Sequence, residues 1–277
     1  MNKKVGIIIV SFNPNLALLE LEISELKNNS IYIFDNDSLN IKGLEVMLKK
    51  YPDVTLIRGQ ENYGIAIAQN KAIKVLQEDN IKFILFLDQD SFFSQNNLTK
   101  LINDFNNYSS KKKLGILSAV PNFERKKAES IEEVKQCISS GMLVRSDDIN
   151  IVGSMLDELF IDMVDFEWCW RFKKKGYVVA KDYNCSFKHQ IGTESRTLGK
   201  IEISPFRLYY VFRNTIFLIL TRKTLDVSQS IYLTYKLGKQ IVFNLLFCHA
   251  KKQRLKYIYL GIKDGLNKKM GRYNYER

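Results

Sequence analysis

The sequence has few of the residues that would place it in several common functional classes. Its four cysteines, at positions 137, 169, 185 and 248, include no CxxC pair, so we expect neither a zinc ribbon nor a disulfide framework, and a reducing compartment is indicated. With two histidines, no HExxH and no GxG among 14 glycines, the chain lacks the zinc-protease pattern and the dinucleotide fingerprint. No apolar run reaches the ~18–20 residues of a spanning helix, and the amino-terminal segment lacks a signal-peptide cleavage site.

Positive charge is concentrated at one end of the chain. The 277 residues are 45% apolar and 26% charged, which is typical of a globular protein with a sizeable core. Residues 1–195 hold 25 Lys and Arg against 26 Asp and Glu, whereas residues 196–277 hold 17 against 4. This asymmetry indicates a nearly neutral body and a basic surface that meets an anionic partner, either phospholipid or nucleic acid.

The first 120 residues alternate between apolar strand patterns and helical patterns. Strand starts at residues 5, 31, 54 and 83 are 23–29 residues apart, the length of one βα unit, so we expect an α/β fold with a mostly parallel sheet flanked by helices. Further segments are expected as a strand over 139–144, a helix over 162–175 and a strand over 177–180. Because Pro205 can open a helix and the charge balance changes there, we predict a catalytic domain over residues 1–203 and a basic, amphipathic helical extension over 204–277.

Two carboxylates follow the fourth predicted strand. The run Phe83–Leu87 leads directly into Asp88, Gln89 and Asp90, at the carboxyl edge of a parallel sheet, where ligands bind. Two acidic oxygens there suit Mg²⁺ or Mn²⁺ bridging a diphosphate. The alternative is a turn and helix cap, for which Asp-x-Asp-Ser is equally suited.

Other polar groups follow the neighbouring strands. Each of them alone is compatible with an ordinary polar loop, but these three groups, together with the group after the fourth strand, favour a nucleotide pocket at one sheet edge. They are Ser11 and Asn13 after the first strand, Asp35 and Asn36 after the second, and Asn62 and Gly64 after the third.

A second acidic pair lies in the later part of the chain, next to large aromatic residues. Asp165 is a candidate general base, although acidic residues in a first helical turn also serve only to stabilise the helix dipole. Glu167 is two residues away, about 200° around a helix, so only one of the two need face a given cleft. His189 is a candidate third metal ligand or diphosphate contact, with a structural role as the alternative, and Trp168 is expected in the core or at an acceptor wall.

These motifs, in this order, resemble a family-two glycosyltransferase of the GT-A fold, and most closely its bacterial rhamnosyltransferase branch. The resemblance covers about residues 5–215. The matching segments are Ser11-Phe-Asn13, Asp35-Asn-x-Ser38, Asn62-x-Gly-Ile-Ala-x-Ala-x-Asn70, Leu87-Asp-Gln-Asp-Ser91, Ser140-Gly141, Phe160-Ile-Asp-x-Val-Asp-x-Glu-Trp-x-x-Arg171 and Arg207-x-Tyr-Tyr-x-x-Arg-Asn214.

The resemblance implies roles for individual residues. Asp165 would deprotonate the acceptor hydroxyl and invert the anomeric configuration, and Glu167 would orient the acceptor. Asp90, with Asp88 and His189, would hold Mg²⁺ or Mn²⁺. The donor-binding residues would be Ser11, Asn13, Asp35 (which would read the pyrimidine base), Asn36, Asn62, Gly64, Asn70, Asp88 and Gln89. The residues on the acceptor or membrane side would be Trp168, Arg207, Tyr210 and Arg213.

The resemblance also implies partners and a location. The donor would be dTDP-rhamnose, or a UDP-sugar if the chain is another hexosyltransferase, and the acceptor a polyprenyl-diphosphate-linked glycan. The basic extension would then lie on the anionic inner face of the bacterial cell membrane, in the cytoplasm; a solvated basic face or a homodimer contact is the alternative. A nucleic-acid-binding module is the alternative of a different class, but the sequence shows no helix-turn-helix, RNP or finger motif, so no nucleic-acid partner is expected.

Overall fold

A computed structural model describes residues 5–124, 130–189, 196–197 and 200–274. Strands and helices alternate through the first half, and three helices end the described chain. The strands are β1 Val5–Ser11, β2 Ser30–Asp35, β3 Val54–Arg58, β4 Phe83–Asp88, β5 Ser91–Phe92, β6 Leu114–Pro121, β7 Ile131–Glu133, β8 Met142–Arg145, β9 Val178–His189, β10 Arg196–Thr197 and β11 Lys200–Ile201. The helices are α1 Leu16–Leu26, α2 Ile41–Leu48, α3 Gly64–Glu78, α4 Gln95–Ser109, α5 Ser146–Val152, α6 Val164–Lys174, α7 Pro205–Thr221, α8 Val227–Leu246 and α9 Lys251–Leu266.

Within the described parts of the chain, one nine-stranded sheet forms the centre of the molecule. The strand order is β3-β2-β1-β4-β8-β6-β9-β5. Strand β7 lies outside this order and pairs antiparallel with residues 180–182 of β9. The ladders that join β3, β2, β1 and β4 are parallel, and so is the ladder between β6 and β9. Strand β8 runs antiparallel between β4 and β6. The predicted α/β fold with a mostly parallel sheet is therefore confirmed, because β1, β2, β3, β4, β6 and β9 share one direction.

Two apolar layers enclose this sheet. In β1, Ile8 packs in one layer with residues of α3 and α6, whereas Ile7 and Ile9 pack in the other layer with residues of α1, α2 and α4. All three side chains are fully buried, which is why the run reads as continuously apolar rather than alternating. Burial of each such side chain stabilises the fold by ~1.5–3 kcal/mol.

Strand β9 is longer than the strand predicted over 177–180. It continues to His189, and its pairing with β6 shifts where Ala119 pairs with Asp182 but Val120 pairs with Ser186. This bulge accommodates the polar residues that interrupt the apolar run, so the periodicity ends before the strand does.

The three last helices differ in how much they are covered. Most of α7 is buried, and it packs along α9. Helix α8 has only Leu233 and Asn244 buried among its 20 residues. Within the described residues, no helix combines the length and apolar character that crossing a membrane requires.

Candidate functional site

A cleft of about 1660 Å³ opens at the carboxyl ends of the central strands. One wall is the sheet edge with the loop before α6, and the other wall is formed by α7 and α8. Several predicted site residues line it together, although they are far apart in sequence. They are Asn36, Asn62, Gly64, Asp88, Gln89, Asp90, Asp165 and Arg207.

Asp88, the last residue of β4, and Asp90, two residues later, both line this cleft. The backbone N–H of Asp88 donates to Ser140 Oγ at 3.2 Å, which anchors the end of the strand. Two carboxylates at a sheet edge offer the hard oxygen ligands that Mg²⁺ and Mn²⁺ prefer, so the residues present fit such an ion. Ser91 pairs with His189 in the β5–β9 ladder, which brings the His189 backbone near this pair; its side chain lies outside the described parts of the structure.

Gln89 fixes the loop that follows β1. Its Oε1 accepts from the Phe12 backbone N–H at 2.7 Å, and its Nε2 donates to the Phe12 carbonyl at 3.3 Å. The two ends of adjacent strands are therefore joined at the mouth of the cleft.

Asp35, Ser11 and Asn13 form a network behind the cleft wall. Ser11 Oγ donates to Asp35 Oδ1 at 3.1 Å, and the Ser38 N–H donates to Asp35 Oδ2 at 2.9 Å. Asn13, whose φ is 49°, accepts from the Leu39 N–H at 2.7 Å. Because Asp35 is 1% exposed, the contact of Asp35 with a pyrimidine base stays a prediction.

Asn36 and Asn62 shape the start of α3. Asn36 accepts from the Tyr63 N–H and donates to the Gly64 carbonyl, both at 3.0 Å, while Asn62 Oδ1 accepts from the Gly64 N–H at 2.9 Å. A Cβ on Gly64, which has a φ of +78°, would lie 2.4 Å from the Phe160 carbonyl oxygen. Glycine is therefore required here for both conformation and space.

Asn70 does not line the cleft. Its amide instead holds the segment before α6: Nδ2 donates to the Met155 carbonyl at 2.8 Å and to Asp157 at 2.6 Å, and Oδ1 accepts from the Met155 N–H at 2.9 Å. Its position supports a structural contact rather than the predicted contact with the donor.

The loop before α6 is strained and is held by one side chain of α7. Phe160, Asp162 and Met163 have φ values of 61°, 63° and 67°, which cost free energy in residues other than glycine. Asn214 Nδ2 faces three carbonyl oxygens of this loop, those of Leu159, Ile161 and Asp162, at 2.8–2.9 Å. The sequence motif includes Asn214, but neither spacing nor composition indicated this function.

Asp165 lies in the first turn of α6, just after the strained loop, and lines the cleft. Its carboxylate accepts from the backbone N–H groups of Phe166 at 2.9 Å and Ser139 at 3.2 Å. Burial, which has the largest effect, and the charges of Asp162 and Asp88 together raise the pKa of Asp165 to about 7, against the lowering effect of the two hydrogen bonds. A carboxylate with a pKa near 7 is well matched to general base catalysis at neutral pH.

Glu167 lies on another face of α6 and does not reach the cleft. Its side chain is fully buried, accepts from Thr224 Oγ1 at 2.7 Å and forms an ion pair with Arg171 at 2.7 Å. Glu167 therefore connects α6 to the loop before α8, and it does not lie where the expected contact with an acceptor would place it. Trp168 is also fully buried, donates to the Gly153 carbonyl and packs on Phe86, so it belongs to the core.

The predicted residues of α7 divide between the cleft and the interior. Arg207 lines the cleft and forms a two-pronged ion pair with Asp162, at 2.6 and 3.2 Å. Tyr210 is fully buried, and its hydroxyl accepts from the Tyr273 N–H at 3.0 Å. Arg213 is fully buried as well, and it bonds to Asn214 and to the Leu159 carbonyl. Tyr210 and Arg213 thus support the loop from inside and do not face an acceptor or a membrane.

Helix α8 supplies a cleft wall whose residues were not predicted individually. Tyr232 and Tyr235, with Phe247 directly after the helix, line the cleft and are about half exposed or more. Lys236 and Lys239, which line it too, lie over the rings of Tyr232 and Tyr235. This wall combines apolar surface with positive charge.

Comparison with known proteins agrees with this arrangement. The profile of the family described as Glycosyl transferase family 2 matches residues 7–111, which include Asp88 and Asp90. The dTDP-rhamnosyl transferase RfbF of Shigella flexneri is 32% identical over an alignment that covers 99% of this chain and 100% of that protein. The chain belongs to the family 2 glycosyltransferases. This result favours the enzyme over the nucleic-acid-binding alternative.

Solved structures of other glycosyltransferases share the fold of this family 2 glycosyltransferase. S. aureus TarS 1-349, determined with UDP-GlcNAc, has a TM-score of 0.58 and 14% identity, over 95% of this chain and 81% of that TarS chain. GalNAc-T7, determined with UDP, GalNAc and Mn²⁺, has a TM-score of 0.57 and 13% identity, over 96% of this chain and 56% of that protein. At these identities the likeness concerns the fold alone, and it confirms the expected GT-A architecture.

Proposed function

We propose that this glycosyltransferase transfers L-rhamnose from dTDP-rhamnose to an acceptor hydroxyl, with inversion at the anomeric carbon. The observation that carries the proposal is the cleft itself, in which Asp165, with a pKa of about 7, shares one space with Asp88 and Asp90. The similarity to a dTDP-rhamnosyl transferase over nearly the whole chain supports the choice of donor.

In this mechanism Asp165 accepts the proton of the acceptor hydroxyl. The hydroxyl oxygen then forms a bond to the anomeric carbon, and the bond from that carbon to the diphosphate breaks, so that the nucleoside diphosphate leaves. Mg²⁺ or Mn²⁺ held by Asp88 and Asp90, with His189 as a further ligand, would offset the negative charge of the leaving diphosphate. Arg207 is a further cation in the same cleft, and the two hydrogen bonds to Asp165 keep its carboxylate in place.

The donor is tested by equilibrium binding to a panel of nucleotide sugars in the presence of Mg²⁺. We expect dTDP-rhamnose to bind more tightly than UDP-glucose, UDP-galactose and UDP-GlcNAc. Selective binding of a UDP-sugar would overturn the assignment of the donor but would still be consistent with a glycosyltransferase. The anomeric configuration of the isolated product tests inversion, because a retained configuration is incompatible with direct displacement.

The proposed acceptor is a glycan linked to a polyprenyl diphosphate, and the proposed site of action is the inner face of the cell membrane. The α8 wall supports both, because its aromatic side chains fit a lipid chain while Lys236 and Lys239 fit a diphosphate. In this proposal residues 204–277 act as the membrane-facing extension of a catalytic domain that comprises residues 1–203. Each Lys or Arg close to an anionic membrane adds about 1 kcal/mol of binding.

Binding to vesicles tests this part of the proposal. The wild type is expected to bind vesicles that contain anionic phospholipid and not purely zwitterionic vesicles. Reversal of charge in Lys236→Glu/Lys239→Glu should weaken binding much more than the same change in Lys42→Glu/Lys49→Glu, since Lys42 is exposed on α2 and Lys49 is exposed directly after it. Equal losses in both variants, or no binding by the wild type, would contradict a membrane-facing α8.

A further inference from the structure

A second group of metal-binding side chains lies where α4 packs against β9. Asp104 of α4 and Asp182 and Cys185 of β9 place one carboxylate oxygen each and the thiol sulfur within 4.8 Å of one another. None of the three lines the cleft. The proposed donor reaction does not use them.

The bulge in β9 produces this arrangement. Residues 183–185 lie between the two registers of the β6–β9 ladder, so Asp182 and Cys185 turn towards the same neighbour, α4. The contact is held on one side by Asn97 of α4, whose Nδ2 donates to the Ser186 carbonyl at 2.6 Å. On the other side the Tyr183 N–H donates to the Ser130 carbonyl at 2.9 Å.

Several buried oxygens in this contact have no hydrogen-bond donor among the residues that the structure describes. Asp182 is 0% exposed; its Oδ1 accepts from the Asn184 N–H at 2.9 Å, but its Oδ2 has no donor. Asp104 Oδ2 and Asn184 Oδ1 are also buried without a donor. A buried acceptor without a partner is costly, and an unsatisfied group of this kind commonly marks a bound ion or water.

The charges in the contact also favour a cation. The carboxylates of Asp104 and Asp182 lie together with the Cys185 thiol at this contact, and both Asp182 and Cys185 are fully buried. A divalent ion would pair with both carboxylates and take the sulfur as a thiolate.

We propose that Asp104, Asp182 and Cys185 bind a structural Zn²⁺. A ligand set of one sulfur and two carboxylate oxygens suits zinc better than Mg²⁺, which avoids sulfur. Binding would fix the bulge from which β9 continues to His189, the residue that pairs with Ser91 beside Asp90. The zinc therefore stabilises the frame of the donor site without entering it.

Metal analysis of the full chain, purified and then supplied with Zn²⁺ and dialysed, tests the proposal. We expect about one zinc per chain in the wild type and a higher melting temperature with zinc than after chelation. Cys185→Ser and Asp182→Asn should lose the bound zinc and the increase in melting temperature that zinc produces. The matched controls are Cys248→Ser, another buried cysteine, and Asp90→Asn, which changes the proposed donor-site ligand. Both controls should retain the zinc.

Cobalt substitution provides a readout that does not depend on activity. The wild type loaded with Co²⁺ should show sulfur-to-cobalt charge-transfer absorption, which Cys185→Ser abolishes and Cys248→Ser preserves. Absence of zinc and of this absorption in correctly folded wild type would overturn the proposal. Zinc that persists in Cys185→Ser would also overturn it. So would a melting temperature of Asp182→Asn above that of the zinc-supplied wild type, because that result would mean that the two carboxylates share only a proton.

Discussion

The pKa of Asp165 leads to a prediction in which activity and stability change in opposite directions with pH. As the general base, Asp165 must be ionised, so kcat/KM should rise tenfold per pH unit below about 7 and level off above it. Asp165→Asn removes the base and should lower kcat by about 10²- to 10⁴-fold. The residual activity should lose the pH dependence that centres near 7.

The magnitude of the stability effect follows from the same shift. The pKa rises from 3.8 to about 7 on folding, so between these values the folded state binds more protons than the unfolded state, and the free energy of unfolding falls as pH rises. At about 1.4 kcal/mol per pKa unit, ionisation of Asp165 costs up to ~4 kcal/mol above pH 7, and solvent in the cleft reduces this value. Asparagine avoids that cost but accepts only one of the two backbone N–H groups, which costs ~1–3 kcal/mol at every pH.

The assay is denaturant unfolding of the wild type and Asp165→Asn from pH 4 to pH 8, alongside donor turnover at the same pH values. The variant should gain stability relative to the wild type as pH rises, with most of the gain between about pH 4 and pH 7, the interval between the unfolded and folded pKa values of Asp165. The control is Asp147→Asn, which changes an exposed aspartate on α5. The difference in the free energy of unfolding between this variant and the wild type should not change with pH. The reasoning would be refuted if the difference in the free energy of unfolding between Asp165→Asn and the wild type did not change with pH, or if the pH profile of turnover were centred near pH 4.

Two further variants test the supports of the site. Asn214→Ala removes the donor that faces three loop carbonyls, so we expect kcat to fall at least tenfold with little change in the affinity for the donor, and a loss of stability of ~1–3 kcal/mol; unchanged kcat would contradict the positioning role. Glu167→Gln leaves Arg171 partly unpaired in the interior and should destabilise the fold by up to about 3 kcal/mol while the KM for the acceptor stays the same. An increase in that KM without loss of stability would restore the acceptor contact predicted from the sequence.

The sequence predicted the fold well where the pattern of buried residues is regular. The run Val5–Val10 lies between two apolar layers, and the spacing of successive βα units dictates the parallel half of the sheet. The predictions over residues 162–175 and 177–180 were less accurate, since the chain there has three positive φ values before α6 and a bulge within β9. Local strain and bulges are held by tertiary contacts, which periodicity does not encode.

The site residues divide in the same way. Asp88, Asp90 and Asp165 line the cleft as expected, because strand ends and the start of a helix can be located from the sequence. Glu167 and Arg213 carry charges that resemble functional groups, but both are fully buried in contacts with other elements. Charge in a sequence motif does not indicate which face of a helix meets the cleft, and only the packing of α6 and α7 decides it.

The most direct test of the central claim is the release of dTDP from dTDP-rhamnose by the purified chain. It is measured with Mg²⁺, with Mn²⁺ and with EDTA, for the wild type and for Asp90→Ala. We predict turnover that requires a divalent ion, that is lost in EDTA and restored by Mg²⁺ or Mn²⁺, and that Asp90→Ala lacks under every condition. Full activity of folded Asp90→Ala, or equal activity of the wild type in EDTA, would contradict a donor site built on these carboxylates.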